Sequence, residues 1–189
     1  MNAGEKYSRF ALVKEMMETA DIIRNFKLKN ADSVVASIRD CGKLFFTGEG
    51  SSRIFPAKNA MYYAMSKGIG VSFSTEGSRQ ASEYDLSSFA VFGASNSGQT
   101  KEVICLFDAL KKAGHDRLFT LTAHKNTKLE SFANQGFVLS CGNEDAVAAT
   151  KSVEEQALVY QQILAMIDGG DISSELGELG DAVEAALTM

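Results

Sequence analysis

The sequence is poor in several residues whose presence would point somewhere definite. Its 189 residues contain no tryptophan and one proline, Pro56. A lone proline excludes a proline-rich linker or recognition segment. The three cysteines, Cys41, Cys105 and Cys141, are an odd number and show no metal-ligand spacing. They exclude a disulfide framework and fit reduced thiols in a cytoplasmic protein. No stretch of about 18 apolar residues is present to span a membrane. Met1 to Arg9 is polar and lacks the apolar core of a signal peptide. Positive charge is also in deficit, with 19 Lys and Arg against 24 Asp and Glu and a net charge of −5. That balance gives no general attraction to nucleic acid or to an anionic membrane. The expectation is a cytoplasmic protein without metal, cofactor, nucleic-acid partner or membrane partner.

What is present reads as one folded unit. Hydrophobic residues make up 45% and charged residues 23% of the chain, an ordinary globular mix. The length suits one domain, able to bury roughly 70% of its unfolded surface without a staple. Phe10, Val13, Met17, Ala20 and Ile23 recur at helical steps, and a second helix runs through Val34, Val35 and Ile38 to Cys41-Gly42. Five apolar runs follow: KLFFT (43–47), IGVSFS (69–74), FAVFGAS (89–95), RLFTLT (117–122) and GFVLSC (136–141). Helix-compatible segments lie between and after them, at about 53–67, 99–113, 127–134 and 146–167. Strands alternating with helices predict an α/β fold with a parallel sheet covered on both faces. Ile172, Leu176, Leu179, Val183 and Leu187 predict a final amphipathic helix. The expected organisation is a helical lead-in over 1–41, a core over 42–168 and a C-terminal helix over 169–189.

Parallel α/β sheets bind ligands at the carboxyl ends of their strands. Three loops there are rich in small polar residues. In FTGEGSSR (46–53), Gly48 and Gly50 allow close backbone approach, and Ser51-Ser52 open a helix whose free amides favour an anion. Pro56 fits the first turn of that helix, where no intrahelical amide is lost. In GASNSGQTKEV (93–103), Ser95, Asn96, Ser97, Gly98 and Thr100 lie between a strand and a helix. One such residue would cap the helix; four polar side chains with the helix amides make a phosphate cradle. In CGNEDAVAATKSVEEQ (141–156), Glu144 is a candidate general base and Lys151 a candidate phosphate or oxyanion partner. His115 precedes a strand and is read as structural. His124 follows one and is a candidate acid or base.

Taken together, GEGSS (48–52), SNSGQT (95–100) and VAATK (147–151), in this order at strand ends, resemble the SIS (sugar isomerase) domain family. The likeness runs from about Gly42 to Gln162. It is nearest to the first SIS half of isomerising glucosamine-6-phosphate synthases and to fructosamine-phosphate deglycases. KEMMETADIIR (14–24) is similar to their helical lead-in. The resemblance implies a three-layer, flavodoxin-like fold with a five-stranded parallel sheet and flanking helices. It implies a phosphorylated sugar or amino sugar as ligand. Ser95, Asn96, Ser97 and Thr100 would hold the phosphate, Gly50, Ser51 and Ser52 would line the sugar, and Val147, Ala149 and Lys151 would sit at the third loop's contacting helix start. The chain matches one half of a tandem pair, so catalysis would draw on Glu144, Glu76 or His124 at the interface of a homodimer or homotetramer. The activity implied is sugar-phosphate isomerisation or a related deglycase step. Two other readings remain at this stage: a non-catalytic phosphosugar sensor, and a dinucleotide-binding Rossmann domain opened by Gly48-x-Gly50 with Glu76 as the ribose acid.

Overall fold

The computed structural model describes residues 7–189. Two helices come first, α1 (Ala11–Asn25) and α2 (Asp32–Cys41). Gly42 ends α2 in the left-handed conformation, at φ 63°, and turns the chain directly into β1 (Lys43–Gly48). There follow α3 (Ser51–Lys67), β2 (Ser72–Gly77), the short α4 (Ser78–Ala81), β3 (Ala90–Ala94) and α5 (Lys101–Lys112). The chain continues through β4 (Leu118–Thr122), a 3₁₀ turn at Glu130–Phe132, β5 (Gln135–Val138), α6 (Lys151–Ile167) and α7 (Leu176–Thr188).

The five strands form one sheet in the order β2-β1-β3-β4-β5, and each neighbouring pair is parallel. This is the α/β architecture the alternating pattern predicts. The order is the flavodoxin-like one; dinucleotide-binding Rossmann sheets run 3-2-1-4-5-6. The central strands β1, β3 and β4 are buried along nearly their whole length because helices cover both faces. On one face Phe46, Phe92, Phe119 and Phe137 meet Tyr160 and Ile163 of α6, Ala57, Ala60 and Ala64 of α3, and Val34 and Ile38 of α2. Phe46 and Tyr160 bring their ring centroids to 4.5 Å. On the other, Phe45 and Val91 pack with Val103, Leu106 and Phe107 of α5. Gly93 is required there, because a Cβ on it would lie 2.5 Å from the Phe107 ring.

Local periodicity misplaces some boundaries. β2 runs over 72–77, three residues later than the apolar run suggests, because Ile69 and Val71 fill the turn out of α3 and Ser72 donates to the Gly42 carbonyl. Glu76 therefore lies within the strand. The segment 127–134 holds only the 3₁₀ turn, and α6 begins at Lys151, five residues later than the pattern suggests. Because α3 begins at Ser51, Pro56 is its sixth residue; its missing amide leaves the Ser52 carbonyl without a helix partner.

Candidate functional site

From β1 the chain proceeds outward to β2 on one side, while β3 lies on the other. At such a reversal the two following loops part and leave a crevice at the strand ends. Gly48 and Ala94 are partners at the end of the β1–β3 ladder. A Cβ on Gly48 would stand 2.8 Å from the Ala94 carbonyl oxygen, so only glycine allows the two strand ends this close. Gly50 caps α3 at φ 58° and ψ −134°, a backbone region that disfavours side chains.

The second loop is a compact turn. Ser95 is buried, accepts from the Thr100 amide at 3.3 Å and pairs its hydroxyl with Thr100 Oγ1 at 2.7 Å. The Gln99 amide donates to Ser97 Oγ at 3.2 Å. Gly98 takes φ 63° and presses on Thr127. The loop is also tied to β4, through Ser95 N to Leu121 O and Ala123 N to Asn96 O. Thr100 then opens α5, whose first-turn amides have no partner within the helix.

A cleft of about 510 Å³ opens over this turn, lined by Ser52, Asn96, Ser97, Thr100, His124, Asn143, Glu144 and Asp145. The lining combines the hydroxyls of Ser52, Ser97 and Thr100 with the carboxylates of Glu144 and Asp145. Burial pushes the Glu144 carboxyl up, but hydrogen bonds from Ser152 Oγ, the Thr150 and Ser152 amides and Thr150 Oγ1 outweigh it. They hold the group below the usual carboxylate range.

The structure therefore brings together Ser52, Asn96, Ser97, Thr100, His124 and Glu144 from the residues singled out in the sequence. Gly50, Ser95 and Gly98 shape the loops beneath them, and Ser51 is the first residue of α3. Four others lie elsewhere. Glu76, on the edge strand, accepts its neighbour's Gly77 amide at 2.9 Å, lies 3.8 Å from Arg53, and faces a different hollow beside Phe73 and Tyr84. Lys151 is buried and bound to Glu18 of α1 at 2.6 Å, so its charge is already matched. Val147 points fully into solvent, and Ala149 lines an apolar groove with Leu12 and Phe55. Val147 and Ala149 precede α6; neither belongs to the helix start. His115 is structural as read: one ring nitrogen meets the Leu86 carbonyl and the other accepts from the Arg117 amide.

Sequence reasoning missed Asn143 and Asp145, which line the cleft, and Glu15, which holds the third loop. Glu15 is a buried carboxylate on α1 that accepts the Asp145 amide at 2.5 Å and the Ala146 amide at 3.2 Å. The available signal was a charged residue four before Thr19 on the inward stripe of an amphipathic helix.

Residues 37–166 match the family model described as SIS domain. Over 98 residues the chain is 35% identical to glutamine–fructose-6-phosphate aminotransferase (isomerizing) of Bacillus licheniformis; the match takes in 48% of this chain and 16% of that protein. The chain thus spans a small part of the length of that curated relative. The solved glucosamine-6-phosphate deaminase of Thermotoga maritima superposes with a TM-score of 0.70 at 20% identity, over 93% of this chain and 54% of that one. The Vibrio vulnificus NanR protein complexed with ManNAc-6P gives a TM-score of 0.61 at 14% identity, over 93% of this chain and 68% of that one.

Proposed function

The chain belongs to the SIS domain family, and from that premise we propose that it binds a phosphorylated sugar or amino sugar in the cleft over the second loop. The observation that carries this reading is the polarity of the cleft. Ser52, Ser97, Thr100 and the α5 amides offer donors and a positive dipole end, while Asn143 and Asp145 offer acceptors for sugar hydroxyls. A sugar phosphate has the complementary shape: an anion at one end and a run of hydroxyl donors at the other. With Lys151 bound to Glu18, the phosphate would be held by hydroxyls and backbone amides.

The activity we propose is isomerisation of the sugar phosphate, or a related deglycase step, with His124 as the group placed to move protons in the cleft. Gripping the phosphate remotely would orient the reacting carbons. The protein would act as a homodimer in the cytoplasm, its cleft completed by the second copy. Glu76, remote from the cleft of its own chain, would serve only if that copy carried it there. One observation favours a second reading, a phosphosugar sensor: the Glu144 carboxylate already spends its acceptor capacity on its own chain.

The test is a panel of hexose, pentose and amino-sugar phosphates, read first by thermal shift and then by turnover. Binding raises the melting temperature by mass action. A shift with turnover that vanishes in His124→Ala supports the enzyme, and a shift without turnover in the wild type supports the sensor. No shift with any sugar phosphate, from a folded and fully assembled sample, overturns both.

A further inference from the structure

We propose that Glu144, backed by Glu15, is a positioning residue: it latches the third loop to the phosphate loop and does not itself move a proton. This rests on the phosphosugar reading of the cleft. The geometry around the carboxylate is complete. Its Oε1 accepts from the Thr150 amide at 2.8 Å, Thr150 Oγ1 at 2.9 Å and the Ser152 amide at 3.2 Å. Its Oε2 accepts from Asn96 Nδ2 at 2.8 Å and from Ser152 Oγ. A carboxylate offers about four lone-pair sites, and five donors converge on this one. No acceptor site is left facing the cleft for a proton from a ligand carbon.

The partners explain what the latch does. Asn96 belongs to the phosphate loop; Thr150 and Ser152 open α6. One side chain therefore joins two loops 48 residues apart in the chain. Because a carboxylate only accepts, it fixes the Asn96 amide with its NH₂ toward Glu144. The Asn96 Oδ1 is then left buried without a donor, an arrangement that costs stability. The fold bears that cost at the residue that bridges the loops. Glu15 holds the same segment from behind. Its Oε1 takes the Asp145 and Ala146 amides, and Thr150 Oγ1 lies 3.3 Å from its Oε2. The Thr150 hydroxyl thus sits between two carboxylates, and the Glu18–Lys151 pair closes the next position along. The segment 144–150 is held by α1 through Glu15 and by the phosphate loop through Asn96.

The latch is testable without any ligand, by amide hydrogen exchange on the full chain. In Glu144→Ala, exchange at Thr150 and Ser152 and throughout 95–100 rises by about tenfold or more, since both ends of the latch are freed. Asn96→Ala and Ser152→Ala, which leave the rest of the network in place, raise exchange at the far loop by a smaller factor. Exchange that rises only at 150–152 in Glu144→Ala, with 95–100 unchanged, overturns the coupling. Binding then separates positioning from proton transfer. Glu144→Gln keeps the shape but turns a donor toward donors. It should weaken fructose 6-phosphate and inorganic phosphate alike by about tenfold, because the latch acts on the phosphate loop. A variant that binds both as tightly as the wild type and loses only turnover would make Glu144 a base and refute the proposal. If the wild type binds neither these probes nor any member of the sugar-phosphate panel, the phosphosugar reading fails while the exchange result still decides the latch.

Discussion

Cys141 shows how an ordinary residue takes its chemistry from its surroundings. It is buried near the end of β5 among apolar neighbours and two carboxylates. Burial first, then the charges of Glu155 and Glu144, push its thiol up to about 12. The thiolate is the reactive form, so Cys141 is inert at neutral pH. Cys105, by contrast, is exposed on α5. Iodoacetamide at about pH 8 should label Cys105 rapidly and leave Cys141 unmodified until denaturant is added, as read by peptide mass; labelling of Cys141 in the native state would contradict its burial. Gly98 is a second case. Its φ of 63° and the 2.3 Å approach of a would-be Cβ to Thr127 exclude any side chain. Gly98→Ala should lose about 2–4 kcal/mol in urea unfolding, strain and overpacking together. A loss below about 1 kcal/mol would mean that the loop relaxes freely.

Among the elements, α6 is the most instructive. Its periodicity extends back through Val147 and Ala149, yet the helix begins at Lys151. Two carboxylates, Glu144 just before it and Glu15 far back on α1, take the backbone amides of Asp145, Ala146 and Thr150 ahead of it. No local window contains Glu15, so the boundary could not be read there. The sheet, by contrast, was legible, because buried parallel strands write themselves as apolar runs bounded by glycine and polar loops. The two edge strands, β2 and β5, whose residues are only partly covered, were the exceptions. Of the cleft, the hydroxyl-rich second loop was legible in its composition. The diversion of Lys151 to Glu18 was not, because spacing carries no information on which way a long side chain turns.

The same helix start carries a pH dependence. Glu144 is held below the usual carboxylate range in the fold, so its ionised form is favoured there. Its stabilisation is fully present above the unfolded value near 4.5 and is lost as pH falls through its lower native value. Urea melts of wild type and Glu144→Gln should therefore differ most at neutral pH and converge as pH falls well below the unfolded value. A gap that stays constant over this range would remove the charge from the explanation.

For the whole molecule, the outer face of α3 is conspicuous. Ile54, Phe55, Tyr62 and Met65 are 43%, 62%, 73% and 81% exposed. Stable interfaces bury about 800 Å² per partner around an apolar centre, and aromatic side chains contribute about 150–250 Å² each when fully buried. This face would supply the centre of the proposed homodimer. Sedimentation equilibrium should give a dimer for the wild type, and Tyr62→Glu combined with Met65→Lys should shift it at least about tenfold toward monomer. A wild type that remains monomeric at about 100 μM would sink the homodimer reading.

The meeting of β1 and β3 at Gly48 and Ala94 also bears on how the chain folds. The floor of the cleft needs those two strand ends side by side, and its wall needs segments as far apart as Glu15 and Ser152. No short stretch of the chain can assemble it. Contacts of such long separation form late and slowly, after loop-closure entropy has been overcome. Recovery of the proposed phosphate binding during refolding should accordingly lag the recovery of helical circular dichroism, which would make ligand capture a reporter of a late step of folding.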